Sequence, residues 1–232
     1  MRLMISVVSA LEAREAIAAG ADLLDVKNPE EGSLGAQTPD IIREITEICP
    51  AGTQVSAAIG DMPNLPGTAA LAALGTAVCG ADYIKVGLYG IRSETEAAGL
   101  LQKMHDAVRG FQVSIIAAGY ADYERIGALN PGCLPRVAAA SGIRGCLIDT
   151  AIKDGQRLFD FLKPAALHAI ARQAHDGGLL FAAAGALREE DLPLLRNAKV
   201  DIVGLRTAVC RSGQRQSPLD PACVRSLLDR FK

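Results

Sequence analysis

The feature that most constrains this chain is an alternation, repeated eight times, of a short apolar run and a longer amphipathic stretch. The apolar runs lie at 3–8, 21–27, 54–60, 82–88, 111–119, 145–150, 179–185 and 201–205. Each is short enough for a strand, and most are dense in β-branched or other apolar residues. Between them the spacing predicts helices. Ser9 is placed to cap one through Ala19, and Pro39 sits at a first-turn position ahead of Ile41, Ile42, Ile45 and Ile48. Small residues fill 68–78, and Ser93 opens a helix to about Val108. One or two short helices reach Ala140, another stretch runs through Ala174, and 189–197 and 221–231 complete the set. Strands that alternate with helices of this length pair in parallel through right-handed crossovers. Eight such units in 232 residues fit a single closed (β/α)8 TIM barrel, domain 1–232. An open doubly wound sheet is the alternative. The first turn, S-A-L-E after Val8, lacks the G-x-G-x-x-G fingerprint expected there.

In such a barrel the chemistry belongs at the carboxyl ends of the strands. The second strand is the informative one: residues 22–35 read D-L-L-D-V-K-N-P-E-E-G-S-L-G. Side chains alternate faces along a strand, so Asp25 and Lys27 share one face while Leu24 and Val26 share the other. A buried carboxylate and amine at a strand end are costly unless paired or used. The fourth strand gives Lys85, in Y-I-K-V-G, and the sixth gives Asp149, in C-L-I-D-T-A, with Lys153 just beyond. Ion pairing alone explains one such couple. Three lysines and two aspartates around one mouth are explained better by a site for a phosphorylated carbonyl compound. A free lysine is neutral in only about one molecule in 2,500 at pH 7, and a nucleophilic amine must be neutral. Burial and neighbouring ammonium groups push toward neutrality, and the aspartates push back. One lysine can then form a Schiff base while another takes and returns protons.

A second signal lies at the last two strands. Ala184-Gly185-Ala186-Leu187 and Gly204-Leu205-Arg206-Thr207 both place glycine where backbone N–H groups can approach a phosphate. Gly185, Ala186, Gly204 and Arg206 are therefore the candidate phosphate-binding residues, with Arg206 as a charged donor. His105, His168 and His175 fall within helices, and the basic stretch 211–215 reads as a solvated loop, with contact to phosphate as the alternative.

Composition narrows the partners. A net charge of −2 and an aromatic content of 4% without Trp argue against nucleic acid and acidic membranes. No run approaches a membrane span, and the apolar N-terminal run is too short for a signal peptide. The six cysteines are scattered, with neither C-x-x-C nor His at metal-ligand spacing, as expected of small core residues in a reducing cytoplasm. Alanine-rich helices fit packing between subunits as readily as on a barrel, which leaves a homo-oligomer open.

The motifs D-V-K-N-P at 25–29, E-G-S-L-G at 31–35, V-S-A-A-I-G-D at 55–61, Y-I-K-V-G at 83–87, and C-L-I-D-T-A at 146–151 with Lys153 together resemble the (5-formylfuran-3-yl)methyl phosphate synthase family of methanofuran biosynthesis. This family is also called 4-(hydroxymethyl)-2-furancarboxaldehyde-phosphate synthase. The resemblance spans essentially the whole chain. It implies a TIM-barrel lyase that condenses two molecules of glyceraldehyde 3-phosphate into a furan aldehyde phosphate, releasing phosphate and water. It further implies Lys27 as the Schiff-base residue and Lys85 as the proton acceptor, with Asp25, Asp149 and Lys153 lining the same site. No metal or organic cofactor is implied. Another class I aldolase of sugar phosphates, or a non-catalytic protein holding a phospho-aldehyde on Lys27, are the rival readings. The 32–35 loop, directly after the lysine, is expected to border the site and is a candidate lid.

Overall fold

The computed structural model describes residues 1–231, so the C-terminal Lys232 of the expected domain lies outside it. Eight strands, β1 (Arg2–Val7), β2 (Leu23–Val26), β3 (Gln54–Asp61), β4 (Tyr83–Gly87), β5 (Ser114–Tyr120), β6 (Gly145–Asp149), β7 (Leu180–Ala183) and β8 (Ile202–Leu205), pair in parallel in chain order. β8 returns to β1 through the register Arg2↔Ile202 to Ile5↔Leu205, and the sheet closes into a TIM barrel. The helices are α1 (Ala10–Ala18), α2 (Pro39–Ile48), α3 (Pro66–Val78), α4 (Glu94–Ala107), α5 (Tyr123–Ile126), α6 (Leu134–Ala140), α7 (Leu158–Phe161), α8 (Pro164–Asp176), α9 (Leu192–Asn197) and α10 (Pro221–Phe231).

Local chemistry starts these helices where the sequence marks them. The Ser9 side chain accepts from the Glu12 N–H, and Ser93 with Glu96 forms a reciprocal capping box. Proline occupies the first turn of α2, α3 and α8. The stretch expected as one helix through Ala174 is two, α7 and α8. Pro164 forces Lys163 to an extended ψ of 144° and breaks the run there. The fifth strand starts at Ser114 rather than at Phe111, because its partner β4 begins at Tyr83, opposite Ser114. The seventh ends at Ala183, short of Gly185, where the backbone turns to positive φ at Gly185 and Ala186. His105 lies in α4, and His168 and His175 lie in α8, as expected. Among the described residues no helix is long and apolar enough to cross a membrane.

Two apolar clusters result from the period-2 alternation of the strands. Leu3, Ile5, Leu24, Val26, Ile84, Val86, Cys146 and Ile148 pack outward against the helices. Met4, Leu23, Ala58, Ile116, Ala118, Tyr120, Leu147 and Ala182 fill the barrel interior. One strand breaks parity. β3 shifts register between Ala58 and Asp61, and Gly60 takes φ 115° at that point. Simple alternation would put Asp61 on the outer face with Ala57 and Ile59. The bulge turns it inward against Tyr120.

That inward turn leaves no room beside Gly87. A Cβ there would sit 2.1 Å from the Tyr120 hydroxyl and 2.7 Å from Asp61 Oδ1. Gly87→Ala is therefore expected to cost about 1–3 kcal/mol of stability by overpacking. Urea titration should show a lower midpoint with an unchanged slope; a midpoint equal to that of the parent would show that the contact yields freely.

Candidate active site

Alternation delivers the expected groups to one place. Asp25 and Lys27 at the end of β2, Lys85 in β4 and Asp149 at the end of β6 all point into the barrel mouth, where they are 1%, 6%, 3% and 3% exposed. Lys153 reaches back from the loop after β6. Its Nζ donates to Asp149 Oδ1 at 2.7 Å and to Thr150 Oγ1 at 3.1 Å. All five line a single cavity of about 480 Å3, together with the loops after β6, β7 and β8. That volume suits a small metabolite.

Asp25 does not divide itself evenly between its two lysines. Lys85 Nζ lies 2.6 Å from Asp25 Oδ1, whereas Lys27 Nζ is 4.0 Å from Oδ2. Oδ2 also accepts from the Ser6 hydroxyl at 3.0 Å, from the neighbouring position on β1. The close Lys85 contact falls outside hydrogen-bond geometry, so Oδ1 has an ionic partner but no aligned donor. Lys27 is thus the least compensated of the buried charges. Burial is the main cause that brings its pKa from 10.5 down to about 7. Asp25 and Asp149 oppose the drop, and Lys85 and Lys153 add to it. For Asp149, burial pushes the carboxyl up. Lys153 and Lys27, with hydrogen bonds from Lys153 Nζ and the Thr150 N–H, overcome this and hold it at about 2. The mouth therefore holds a fixed carboxylate–ammonium pair at Asp149–Lys153, a tight pair at Asp25–Lys85, and an amine that is about half neutral at pH 7.

The loop after β2 borders this site, but it is a plug rather than a lid. Ser33 and Leu34 are 1% and 0% exposed, and Leu34 belongs to the interior cluster. Asp61 Oδ2 accepts from the Ser33 N–H at 2.8 Å and the Leu34 N–H at 3.3 Å. Its other oxygen accepts a short hydrogen bond from the Tyr120 hydroxyl. Burial, followed by the Asp61 charge, drives the Tyr120 pKa well above 10, so it stays a donor. Gly32 takes φ 135°, and a Cβ there would strike Asp61 at 2.3 Å. The Ser33 hydroxyl lies 2.8 Å from the Thr150 carbonyl and 3.3 Å from Asp149 Oδ2. Tyr120, Asp61 and Ser33 thus connect β5, β3 and the β2 loop to the Asp149–Lys153 pair. In the sequence Asp61 stands out only as the last residue of V-S-A-A-I-G-D, and Tyr120 through no motif at all; the bulge that joins them leaves little trace beyond Gly60.

On the far wall, Gly185, Ala186 and Gly204 line the cavity as expected. Ala186 adopts φ 49°, uncommon for a residue with a Cβ. The N–H groups of Gly185, Ala186, Leu187, Thr207 and Ala208 donate to no acceptor among the described residues. Arg206 also lines the cavity, but the donor role expected for it fails. Its five N–H groups are spent on the Glu12 carboxylate, at 2.5 and 3.2 Å, and on the carbonyls of Ser6, Arg215 and Ser217. It braces β8 against α1 and adds only its charge to the cavity wall. The 211–215 loop is also corrected. Arg211 to Gln214 are exposed, whereas Arg215 lines the cavity and donates to the carbonyls of Pro29, Gly32 and Ser33.

The lowered Lys27 pKa is also a cost to folding. Below pH 7 the amine is charged in both folded and unfolded chains, and the full desolvation cost applies, on the order of 4–5 kcal/mol for such a shift. As pH rises above 7, the folded chain sheds the proton before the unfolded one, and stability recovers. Lys27→Met removes the charge and keeps the volume. It is expected to be more stable than the parent by about 1–4 kcal/mol at pH 6, with the gain shrinking toward pH 9. Urea midpoints across pH measure this. A variant less stable than the parent at pH 6 would mean that the Lys27 charge is well paired.

Comparison with known proteins shows the family and the fold. The 4-HFC-P synthase family matches residues 3–228. A (5-formylfuran-3-yl)methyl phosphate synthase from Methanopyrus kandleri is 50% identical over 216 residues, covering 92% of this chain and 91% of the relative. The synthase of that name from Methanocaldococcus jannaschii is 45% identical over 235 residues, covering 100% of each chain. Among solved structures, a 3-hexulose-6-phosphate synthase superposes with a TM-score of 0.64 at 16% identity, over 98% of this chain and 99% of the other, which bears on the fold alone. By the extent of the family match and the identity to these synthases, the chain belongs to the 4-HFC-P synthase family of TIM-barrel enzymes.

Proposed function

We propose that the enzyme condenses two molecules of glyceraldehyde 3-phosphate to (5-formylfuran-3-yl)methyl phosphate through a Schiff base on Lys27. The observation that carries this reading is Lys27 itself: a buried amine with a pKa near 7 on the wall of a cavity bearing unspent backbone N–H groups. About half of it is free to attack a carbonyl at neutral pH, against about one part in 2,500 for an ordinary lysine. The names of the relatives at 45% and 50% identity supply the product.

The geometry supports the following steps. Neutral Lys27 adds to the aldehyde of one triose phosphate and loses water to give an iminium. The iminium acidifies the neighbouring C–H. Once the Lys85 ammonium has passed a proton to Asp25 Oδ1, 2.6 Å away, its neutral amine takes the C–H proton and can return it later. The resulting enamine attacks the second aldehyde, or expels phosphate first; dehydration with ring closure builds the furan, and hydrolysis of the iminium releases the aldehyde and frees Lys27. By mass balance the two triose phosphates lose one phosphate and two waters. Asp149 stays ionised throughout and anchors Lys153, whose ammonium offsets oxyanion charge as it develops. The loops at Gly185–Leu187 and Thr207–Ala208 receive one phosphate on their N–H groups. A triose phosphate substrate makes the enzyme a cytoplasmic one.

Incubation with glyceraldehyde 3-phosphate alone should yield a furan chromophore and one inorganic phosphate per product. Borohydride added during turnover should fix an adduct on the peptide carrying Lys27. An adduct on Lys85 or Lys153 instead, or a protein that is coloured as purified and does not turn over triose phosphate, overturns the reading. Lys85→Met is expected to retain trapping and to lose about 10²–10⁴-fold in turnover. Because only the neutral amine attacks, kcat/KM should fall about tenfold per pH unit below 7 and level off above it. A flat profile between pH 5 and 8 would remove Lys27 from the first step.

A further inference from the structure

The proposed reaction brings two phosphate esters into one cavity, and the loops after β7 and β8 account for one. The second needs a cation that the protein has not already neutralised. Six cavity-lining cations fail that requirement or are committed elsewhere. Lys27 is the nucleophile, and Lys85 faces Asp25 at 2.6 Å. Lys153 is held by Asp149 at 2.7 Å. Arg157 pairs with Glu190 at 2.7 Å, and Arg188 stands 3.8 Å from the same carboxylate. Arg206 is saturated by Glu12 and three carbonyls. Arg215 remains. Among the described residues no carboxylate lies within ion-pair distance of it, although it is half-buried and lines the cavity.

Its contacts say how it is held. Nη2 donates to the Gly32 carbonyl at 2.6 Å and the Ser33 carbonyl at 3.3 Å, and Nη1 donates to the Pro29 carbonyl at 3.4 Å. Nε–H and one Nη1–H have no protein acceptor among the described residues. Neutral carbonyls orient the guanidinium without cancelling its charge. Burial accordingly lowers its pKa, only partly offset by the more distant Asp149 and Asp61. The three carbonyls belong to the loop that leaves Lys27 directly, so Arg215 bridges the β8 loop to the segment beside the nucleophile.

We propose that Arg215 is the phosphate ligand of a second subsite in this cavity, one that holds the second triose phosphate beside Lys27. The inference rests on the two-substrate reading given above. The planar guanidinium with two spare donors suits a phosphate oxygen pair, and it adds positive charge where the second dianion would otherwise meet Asp149 and the first phosphate. An anchored loop on one side and a phosphate on the other also explain why an arginine stands here rather than a lysine.

The test compares Arg215→Gln and Arg215→Lys with the parent enzyme. Glutamine keeps a polar N–H donor of similar shape but carries no charge. Arg215→Gln is expected to need about ten- to a hundredfold more glyceraldehyde 3-phosphate for half-maximal turnover. Borohydride trapping of the first molecule on Lys27, and the melting temperature, should stay near the parent values. Arg215→Lys should recover part of the loss. Offered as a co-substrate with glyceraldehyde 3-phosphate, unphosphorylated glyceraldehyde should be discriminated against strongly by the parent and weakly by Arg215→Gln. Unchanged saturation in Arg215→Gln overturns the subsite. So does a parallel loss of trapping and turnover, which would make Arg215 a brace for the loop. Absence of any Lys27 adduct in the parent is a different failure: it removes the two-substrate reading, and the subsite with it.

Discussion

The site depends on how one buried carboxylate shares itself between two amines. Asp25 is 1% exposed and lies against Lys85 at 2.6 Å, with Lys27 at 4.0 Å. In a low-dielectric mouth that difference leaves Lys27 the less compensated of the two amines. Lys85 has its counter-ion, while Lys27 bears the desolvation cost and drops to a pKa of about 7. Ser6 and Ser56 flank Asp25 in register on β1 and β3, and the Ser6 hydroxyl fixes the second carboxylate oxygen. The barrel supplies this asymmetry at no expense in backbone strain, because the three side chains follow from ordinary strand alternation.

The opposite side of the mouth is built by the less regular elements. The β3 bulge turns Asp61 inward, Tyr120 donates to it, and Asp61 in turn receives the N–H groups of Ser33 and Leu34. The chain after Lys27 is thereby folded down as a plug, with Ser33 touching Asp149 and Leu34 filling the interior. Glycine is required at 32 and 87 because Asp61 and Tyr120 occupy the space that a Cβ would need. Arg215 closes the same plug from the β8 side. The cavity is therefore displaced toward β6, β7, β8 and β1, where the unspent backbone donors lie.

Much of this was legible in the residue order. Strand and helix alternation depends on local hydrophobic period, so the eight units and the inward set Asp25, Lys27, Lys85 and Asp149 could be read directly, and the motif resemblance pointed to the family. Strand ends were less legible. β5 begins where β4 begins, and β7 stops where two residues take positive φ, neither of which apolar content reports. The donor role of Arg206 and the solvated reading of Arg215 failed for one reason. An arginine ending a strand beside a glycine resembles a phosphate donor, and one in a polar loop resembles a solvated charge. Only the partners decide, and these are Glu12, 194 residues away, for Arg206 and the carbonyl of Gly32, 183 residues away, for Arg215.

By itself, then, the sequence determined the barrel, the strand ends that carry chemistry, and the face on which each reactive side chain lies, because all of these follow from period and short-range motif. The tertiary structure alone decided which lysine is the less closely paired, that the 32–35 segment is a plug, and that Arg206 is spent while Arg215 is not. Those outcomes are set by distances of a few ångströms between groups far apart in the chain. Coulomb and desolvation energies change steeply over such distances, and residue order does not encode them.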